Sequence, residues 1–226
     1  MTCALAIFVK TPGYSKIKTR LAKDIGNEKA QEFYLLSVKA TEVIVKKSIS
    51  ILAEGLLDPF WAIAEKQALT HPFWHSFDCV DQGDGDLSKR LFCVYDTLLK
   101  SYKKVVLIGA DSPQLDPMWI VKAVLSKAPF TIGPTQDGGF YLWAGTKPIS
   151  LELWKQVPFS TLETAKRLMS VVKHLGKIET LPMSLDVDEK EGLQKLFSFF
   201  SQNPPQLFQQ KKLQLWLQKK FFKKRS

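Results

Sequence analysis

The sequence predicts an α/β protein: a three-layer sandwich in which helices cover both faces of a mostly parallel sheet. Three observations carry that expectation. Uninterrupted apolar runs, Leu5 to Val9 and Val105 to Ile108, have the length and density of strands buried on both faces. Between such runs lie longer stretches with apolar residues at helical spacing, as in Phe33, Leu36, Ala40, Val43 and Ile44. The two patterns alternate along the chain, which is how strand–helix–strand units read in sequence.

Taken in order, Leu5 to Val9 is the first strand, closed by a polar turn from Lys10 to Ser15 and followed by the long helix. Ile49 to Ala53 reads as a second strand and Trp61 to Ala64 as a further one. Cys79 and Val80 precede a turn at Gly83 to Asp86, and Leu87, Leu91, Val94, Tyr95 and Leu98 then share one helical face. Val105 to Ile108 runs directly into Gly109, Ala110 and Asp111. Pro117 suits the first turn of a helix reaching about Ser126. Phe130 to Gly133 and Phe140 to Trp143 read as strands around a turn at Asp137, Gly138 and Gly139. Helices are expected near 150–154 and 160–174, a last strand at Ile178 to Leu181, and a helix from about Glu189.

Composition narrows the function classes. With 226 residues, 45% hydrophobic and 24% charged, the chain is long enough for one globular domain and too apolar for global disorder. No apolar run approaches the length of a membrane-spanning helix. Met1 to Val9 lacks a basic leader and a cleavage site, so it reads as a strand and not as a signal peptide. Cys3, Cys79 and Cys93 form no Cys-x-x-Cys pair, the usage expected of thiols in a reducing cytoplasm.

The net charge of +10 is unevenly placed. All 22 acids and 24 of the 32 bases lie in residues 1–191, leaving that part at +2, whereas residues 192–226 carry eight bases and no acid. A near-neutral body argues against a surface built for nucleic acid. Asn203, Pro204 and Pro205 mark a boundary between a body, 1–203, and a basic segment, 204–226. In that segment Leu213, Trp216, Leu217 and Phe221 recur at helical spacing among lysines up to Arg225. Two readings stand: residues 206–226 lie on an anionic membrane surface, or they pack on the body with the lysines solvated.

Four polar clusters fall just after strands, where ligands bind in open α/β sheets. In the first, Lys10, Gly13, Lys16, Lys18 and Arg20 surround a glycine-containing turn that opens a helix. Cations at a helix start are unfavourable to the helix itself, so an anionic partner such as a phosphate chain is expected. In the second, Asp111 ends the central strand and could present oxygen to Mg2+ or Mn2+ held against a diphosphate. A helix-capping acid is expected nearer Pro117. The third, Asp137, Gly138 and Gly139, could orient a hydroxyl or act as a base. Spacing alone favours a tight Asp-Gly hairpin turn there. The fourth, Asp186 and Asp188, could complete the metal site, cap the next helix, or do both. Arg90, after the turn at Gly83 to Asp86, is a weaker candidate for reaching a ligand. His71, His75 and His174 show no ligand spacing, and no Ser–His–Asp order stands out.

Taken together these residues resemble a bacterial family of glycosyltransferases of the nucleotide-diphospho-sugar transferase, GT-A-like type. Some of its members are named for radical-SAM or selenoprotein neighbours and others for arsenosugar biosynthesis. The resemblance runs from about Leu5 to Leu193. It rests on Ala6 to Lys10 with Pro12, Gly13 and Lys18 to Leu21; on Gly85, Asp86, Leu87 and Arg90; on Ile108 to Pro113; on Gly133, Pro134 and Asp137 to Leu142; on Phe159 to Thr161; and on Asp186 to Asp188. Ser88, Lys89, Phe159 and Gly192 depart from the residues common in that family.

The resemblance implies a Rossmann-like GT-A fold that binds a nucleotide-diphosphate sugar with Mg2+ or Mn2+. It assigns Lys10, Gly13, Lys18, Arg20 and Arg90 to the nucleotide and its phosphates, and Asp111 with Asp188 or Asp186 to the metal. Asp137, Gly138 and Gly139 fall on the sugar or acceptor side. The expected activity is metal-dependent sugar transfer to a small-molecule or glycan acceptor, with Lys18 and Arg20 stabilising the leaving diphosphate and Asp137 serving the acceptor hydroxyl. Nucleotidyl transfer from an NTP to a phosphorylated metabolite, releasing pyrophosphate, needs the same cluster. A non-catalytic nucleotide- or membrane-binding protein is a third reading. The location expected is cytoplasmic, with peripheral contact at the inner face of the membrane if the basic segment binds lipid.

Overall fold

A computed structural model describes residues 2–221. Seven strands, β1 (Cys3–Val9), β2 (Leu57–Ile63), β3 (Asp78–Asp81), β4 (Lys104–Gly109), β5 (Phe130–Pro134), β6 (Phe140–Gly145) and β7 (Ile178–Thr180), form one sheet. Its order is β3-β2-β1-β4-β6-β5-β7. Every neighbouring pair is parallel except β6, which runs antiparallel to both β4 and β5. The α/β, mostly parallel architecture expected from the sequence is the one observed.

Among the described residues eight α-helices complete it: α1 (Thr19–Ile25), α2 (Asn27–Ile51), α3 (Leu87–Leu99), α4 (Pro117–Leu125), α5 (Leu151–Lys155), α6 (Thr164–Val172), α7 (Lys190–Gln202) and α8 (Phe208–Phe221). The continuous apolar run of β1 is explained by its two faces. Leu5, Ile7 and Val9 pack with Tyr34, Val38 and Ile44 of α2 and Ile120 of α4. Ala4 and Ala6 face Leu91, Val94 and Tyr95 of α3, with Trp154 of α5 and Leu168 of α6 in the same layer. Full burial of a Leu or Ile side chain stabilises the fold by about 1.5–3 kcal/mol, so this central strand anchors both layers.

The expected strand at Ile49 to Ala53 is not one. Helix α2 continues through Ile51, because Ile44, Val45 and Ser48 extend its buried face and the Ser48 hydroxyl donates to Ile44 O at 3.0 Å. The second strand begins at Leu57 and takes in the expected Trp61 segment. The helix expected over 160–174 is shorter, with 160–163 held outside it as a turn.

Polar groups fix the ends of several elements. Asp116 caps α4, its carboxylate accepting from Met118 N at 2.8 Å, which meets the expectation of a cap beside Pro117. At the other end of α4, the buried Lys104 ammonium donates to the carbonyls of Ala123, Val124 and Ser126. A cation there complements the helix dipole and satisfies carbonyls left open by the last turn.

The basic segment folds back on the body. Leu213 and Leu217 are buried with Phe33 of α2 and Leu196 and Phe200 of α7. Trp216 Nε1 donates to Glu32 Oε2 at 2.6 Å, and Gln210 Nε2 donates to Pro113 O at 3.0 Å. Lys211, Lys212 and Lys219 lie on the solvent side with Phe208 and Leu215. Lys223, Lys224 and Arg225 are outside the described residues. No helix among the described residues is long and apolar enough to cross a membrane.

Candidate functional site

The sheet order sets β1 beside β4, so the loops leaving Val9 and Gly109 open at the same edge. The loop after β1 is rooted from below. Tyr34 OH accepts from Lys10 N and donates to Lys10 O, both at 2.8 Å. Thr11 N donates to Glu65 Oε2 at 2.8 Å, and the Thr11 hydroxyl oxygen accepts from Trp74 Nε1 at 3.1 Å. Gly13 takes φ 86°, where a side chain would be strained. The loop then delivers Lys18, itself left-handed at φ 46°, to the start of α1.

Lys18 turns inward, not outward. Its side chain is 5% exposed, and Nζ reaches Asp111 Oδ1 at 2.8 Å, Asp188 Oδ1 at 2.8 Å and Val187 O at 2.7 Å. Three acceptors match the three donors of an ammonium group. The two carboxylates therefore converge on one cation, and they line the same cavity of about 680 Å3. Lys10, Lys16, Arg20 and Asp137 also face it.

The electrostatics follow from this triad. Burial pulls the Lys18 pKa down, but Asp111, Asp188 and Asp186 outweigh it, and the net shift is upward. Burial raises Asp188, yet the charge and hydrogen bond of Lys18, with Arg20, hold its pKa below the ordinary value. Asp186 goes the other way. Burial, with the charges of Asp111, Asp188 and Asp137, lifts its pKa to about 7 against the pull of Lys18. Between about pH 4 and about pH 7 the folded state thus keeps a proton that the unfolded chain gives up, so stability falls as pH rises through that window. Asp186→Asn removes this titration. In thermal melts its Tm is expected to gain on wild type progressively across that interval and hold its advantage above it; a pH-independent difference would show Asp186 ionised throughout.

Asp137 sits in the turn joining β5 to β6, as its Asp-Gly pattern predicts. Its Oδ1 accepts from the Thr135 hydroxyl at 2.5 Å and from Gly139 N at 3.2 Å, while the carboxylate also reaches the cavity. Gly138 has φ 83°, and a Cβ on it would stand 2.1 Å from Leu162 O. Its peptide is bonded into the next segment through Ala165 N, which donates to Gly138 O at 2.8 Å. The close approach lets the turn support Ser160, Thr161 and Leu162, which form the opposite wall.

Lys10, Lys18, Arg20, Asp111, Asp137 and Asp188 are thus brought to one cavity. Gly13 faces a separate depression on the outer side of its loop. Arg90 is held back, with Nε donating to Gly85 O at 2.9 Å and Nη1 to Gln82 Oε1 at 3.4 Å. Asp186 lies behind Asp188 in a smaller recess with Glu189 and Glu191. Gly138 and Gly139 shape the turn and do not line the main cavity. Asp188 does not cap α7, whose cap position is Glu189 without a side-chain bond.

Residues 57–161 match the family described as "Uncharacterized protein conserved in bacteria (DUF2064)". Among solved structures, a protein from Desulfovibrio desulfuricans G20 provisionally described as a nucleotide-diphospho-sugar transferase is 23% identical. The match covers 97% of this chain and 95% of that one, with a TM-score of 0.78. CMP:2-keto-3-deoxy-manno-octonic acid synthetase, solved with CTP, is 12% identical over 90% of this chain and 100% of that one, with a TM-score of 0.50. The 4-diphosphocytidyl-2C-methyl-D-erythritol synthase of Anaerococcus prevotii DSM 20548 is 12% identical over 84% and 94%, with a TM-score of 0.51. No curated protein matches the chain. The fold is the Rossmann-like fold of nucleotide-diphospho-sugar transferases.

Several residues of the site have no local sequence signal. Tyr34 reads as one more apolar position of a helix, yet its hydroxyl fixes Lys10. Gln82 reads as a turn residue, yet Nε2 ties Val9 O and Ala62 O together at the cavity floor. Glu65 is a buried acid on the β2 side, whose role in holding Thr11 could be suspected only from its burial.

Proposed function

We propose that the protein is a transferase acting on nucleotide diphosphates: a metal-dependent glycosyltransferase using a nucleotide-sugar donor and a small-molecule or glycan acceptor. The observation that carries this is the meeting of Lys10, Lys18 and Arg20 with Asp111 and Asp188 in one cavity at the carboxyl ends of β1 and β4. Cations there suit a phosphate chain, and paired carboxylates beside them suit the hard cation that accompanies it.

The residues fit Mg2+ or Mn2+. Among the described residues no group of three or more His, Cys, Asp or Glu side chains could hold a metal. The pair Asp111 and Asp188 is nevertheless the donor set expected when phosphate oxygens and waters complete the coordination. Each carboxylate gives one oxygen to Lys18 and remains nearly half exposed, at 45% and 44%. A bound ion would neutralise charge developing on the leaving diphosphate. The chain's own residues supply the rest. Lys10, Lys16 and Arg20 hold the phosphates, and charge-assisted bonds of this kind are the strong ones. Asp137, its carboxylate oriented by Thr135 and Gly139, positions the acceptor hydroxyl and receives its proton.

A nucleotidyltransferase is the second reading, favoured by the fold similarity to the two cytidylyl-transferring synthases. One experiment separates them. The protein is incubated with Mn2+, UDP-, GDP-, CDP- and dTDP-sugars or the NTPs, and a panel of sugar and phosphosugar acceptors. Release of nucleoside diphosphate is the expected result; release of pyrophosphate would establish nucleotidyl transfer, and neither product would refute both.

A further inference from the structure

The buried ammonium of Lys18 stands where a cation shared by Asp111 and Asp188 belongs. It uses one oxygen of each carboxylate and a backbone carbonyl between them. An ammonium this buried costs desolvation, which its three acceptors offset. Lys18 is also one of only two non-glycine residues with positive φ among the described residues. A long side chain in the left-handed region is uncommon and costs about 1–3 kcal/mol, a strain that persists where the surroundings impose it.

We propose that Lys18 is a lock on the metal site: its ammonium holds Asp111 and Asp188 in the absence of ligand, and a diphosphate draws it away, so that divalent-metal binding is conditional on the diphosphate. The inference rests on the reading of Asp111 and Asp188 as the metal's carboxylates.

The charge balance gives the reason. Two carboxylates attract a divalent ion strongly, but with the ammonium in place their net charge is halved and the incoming ion also meets a like charge at contact distance. A diphosphate entering between Lys10, Lys16 and Arg20 brings acceptor oxygens into the same cavity. These can take over the three N–H groups of Lys18 and free both carboxylates together. Lys18 thereby exchanges one pair of anions for another, without passing through an unpaired buried state.

The test uses the full chain without nucleotide. Free Mn2+ is followed by electron paramagnetic resonance during titration of wild type and of Lys18→Met. The variant is expected to bind Mn2+ at least about fivefold more tightly, the fold-change that corresponds to the about 1 kcal/mol of a like charge at contact distance in a high dielectric. Adding Asp111→Asn to that variant is expected to remove the gain. Equal or weaker Mn2+ binding by folded Lys18→Met would overturn the lock. Lys18→Gln, neutral but still a hydrogen-bond donor, answers the same question if Lys18→Met does not fold.

Wild type alone gives a second reading through the lysine ammonium correlation in a 15N-labelled sample. The Lys18 signal is expected to stay in place with Mg2+ alone and to move with Mg2+ plus methylenediphosphonate. Movement with Mg2+ alone, or no movement under either condition, would equally overturn it. Mn2+ gain in Lys18→Met with no nucleotide turnover by wild type would sink the transferase reading and leave the lock standing; wild-type turnover without that gain would do the reverse.

Discussion

Asp111→Asn is expected to lower Mn2+-dependent affinity for nucleoside diphosphates by at least about a hundredfold, because it removes half of the carboxylate pair and leaves Lys18 a weaker partner. The substitution preserves shape, and Asp111 is at the cavity wall, so the fold should survive. Its loss of the Lys18 pair is expected to cost about 1 kcal/mol, toward the low end of charge-assisted bonds given the exposure of the carboxylate. Calorimetric titration with UDP, GDP and CDP, with and without Mn2+, checks the affinity, and circular dichroism checks the fold. If binding in the presence of Mn2+ were unchanged, the assignment of Asp111 would fall, and with it the site shared by both transferase readings. Lys18 then has no metal-binding partner to guard, so the same titration bears on the lock.

The second large effect concerns a residue that carries no chemistry. Gly138→Ala is expected to lower stability by about 2–5 kcal/mol, combining left-handed strain with overpacking against backbone that cannot rotate away. The new Cβ would meet Leu162 O, C and Cα, all within 2.4 Å. To relieve the clash, Ser160 to Leu162 must retreat from the cavity, so ligand affinity should fall with stability. Gly13→Ala is the matched comparison: its φ of 86° is similar but nothing lies within 4 Å of the added Cβ. Strain alone should then cost about 1 kcal/mol. Equal losses in the two variants, measured by denaturant unfolding, would show that the contact with Leu162 is not holding the wall.

The elements were largely legible in the sequence where one periodicity ruled a segment. The runs at Leu5 and Val105 are double-faced strands, and of the helical face read from Leu87 to Leu98, Leu91, Val94, Tyr95 and Leu98 are buried in α3 while Leu87 is exposed at its start. Legibility failed at Ile49, where a short apolar run that suits a strand is the last turn of a long helix. Periodicity over three or four residues cannot separate those states; continuity with Ile44 and Val45 decides. The basic C-terminal segment shows a different limit. Its apolar spacing is equally compatible with a membrane surface and with a protein surface, and only the presence of Phe33 and Phe200 beside Leu213 and Leu217 shows which face is covered.

The candidate site divides in the same way. Sequence by itself determined which residue types stand after each strand: cations after β1, Asp111 after β4, and the Asp-Gly turn before β6. Local chemistry sets those positions, because strand ends and turns are short-range features. That Asp111 and Asp188 share one ammonium and that Gly138 packs against Leu162 are tertiary facts. They depend on the sheet order, which sets β4 beside β1, and on the approach of the 181–189 segment to that edge. A contact between residues so far apart along the chain leaves no periodic trace. Only folding could convert Lys18 from one more cation in a basic loop into the residue that holds the two carboxylates together.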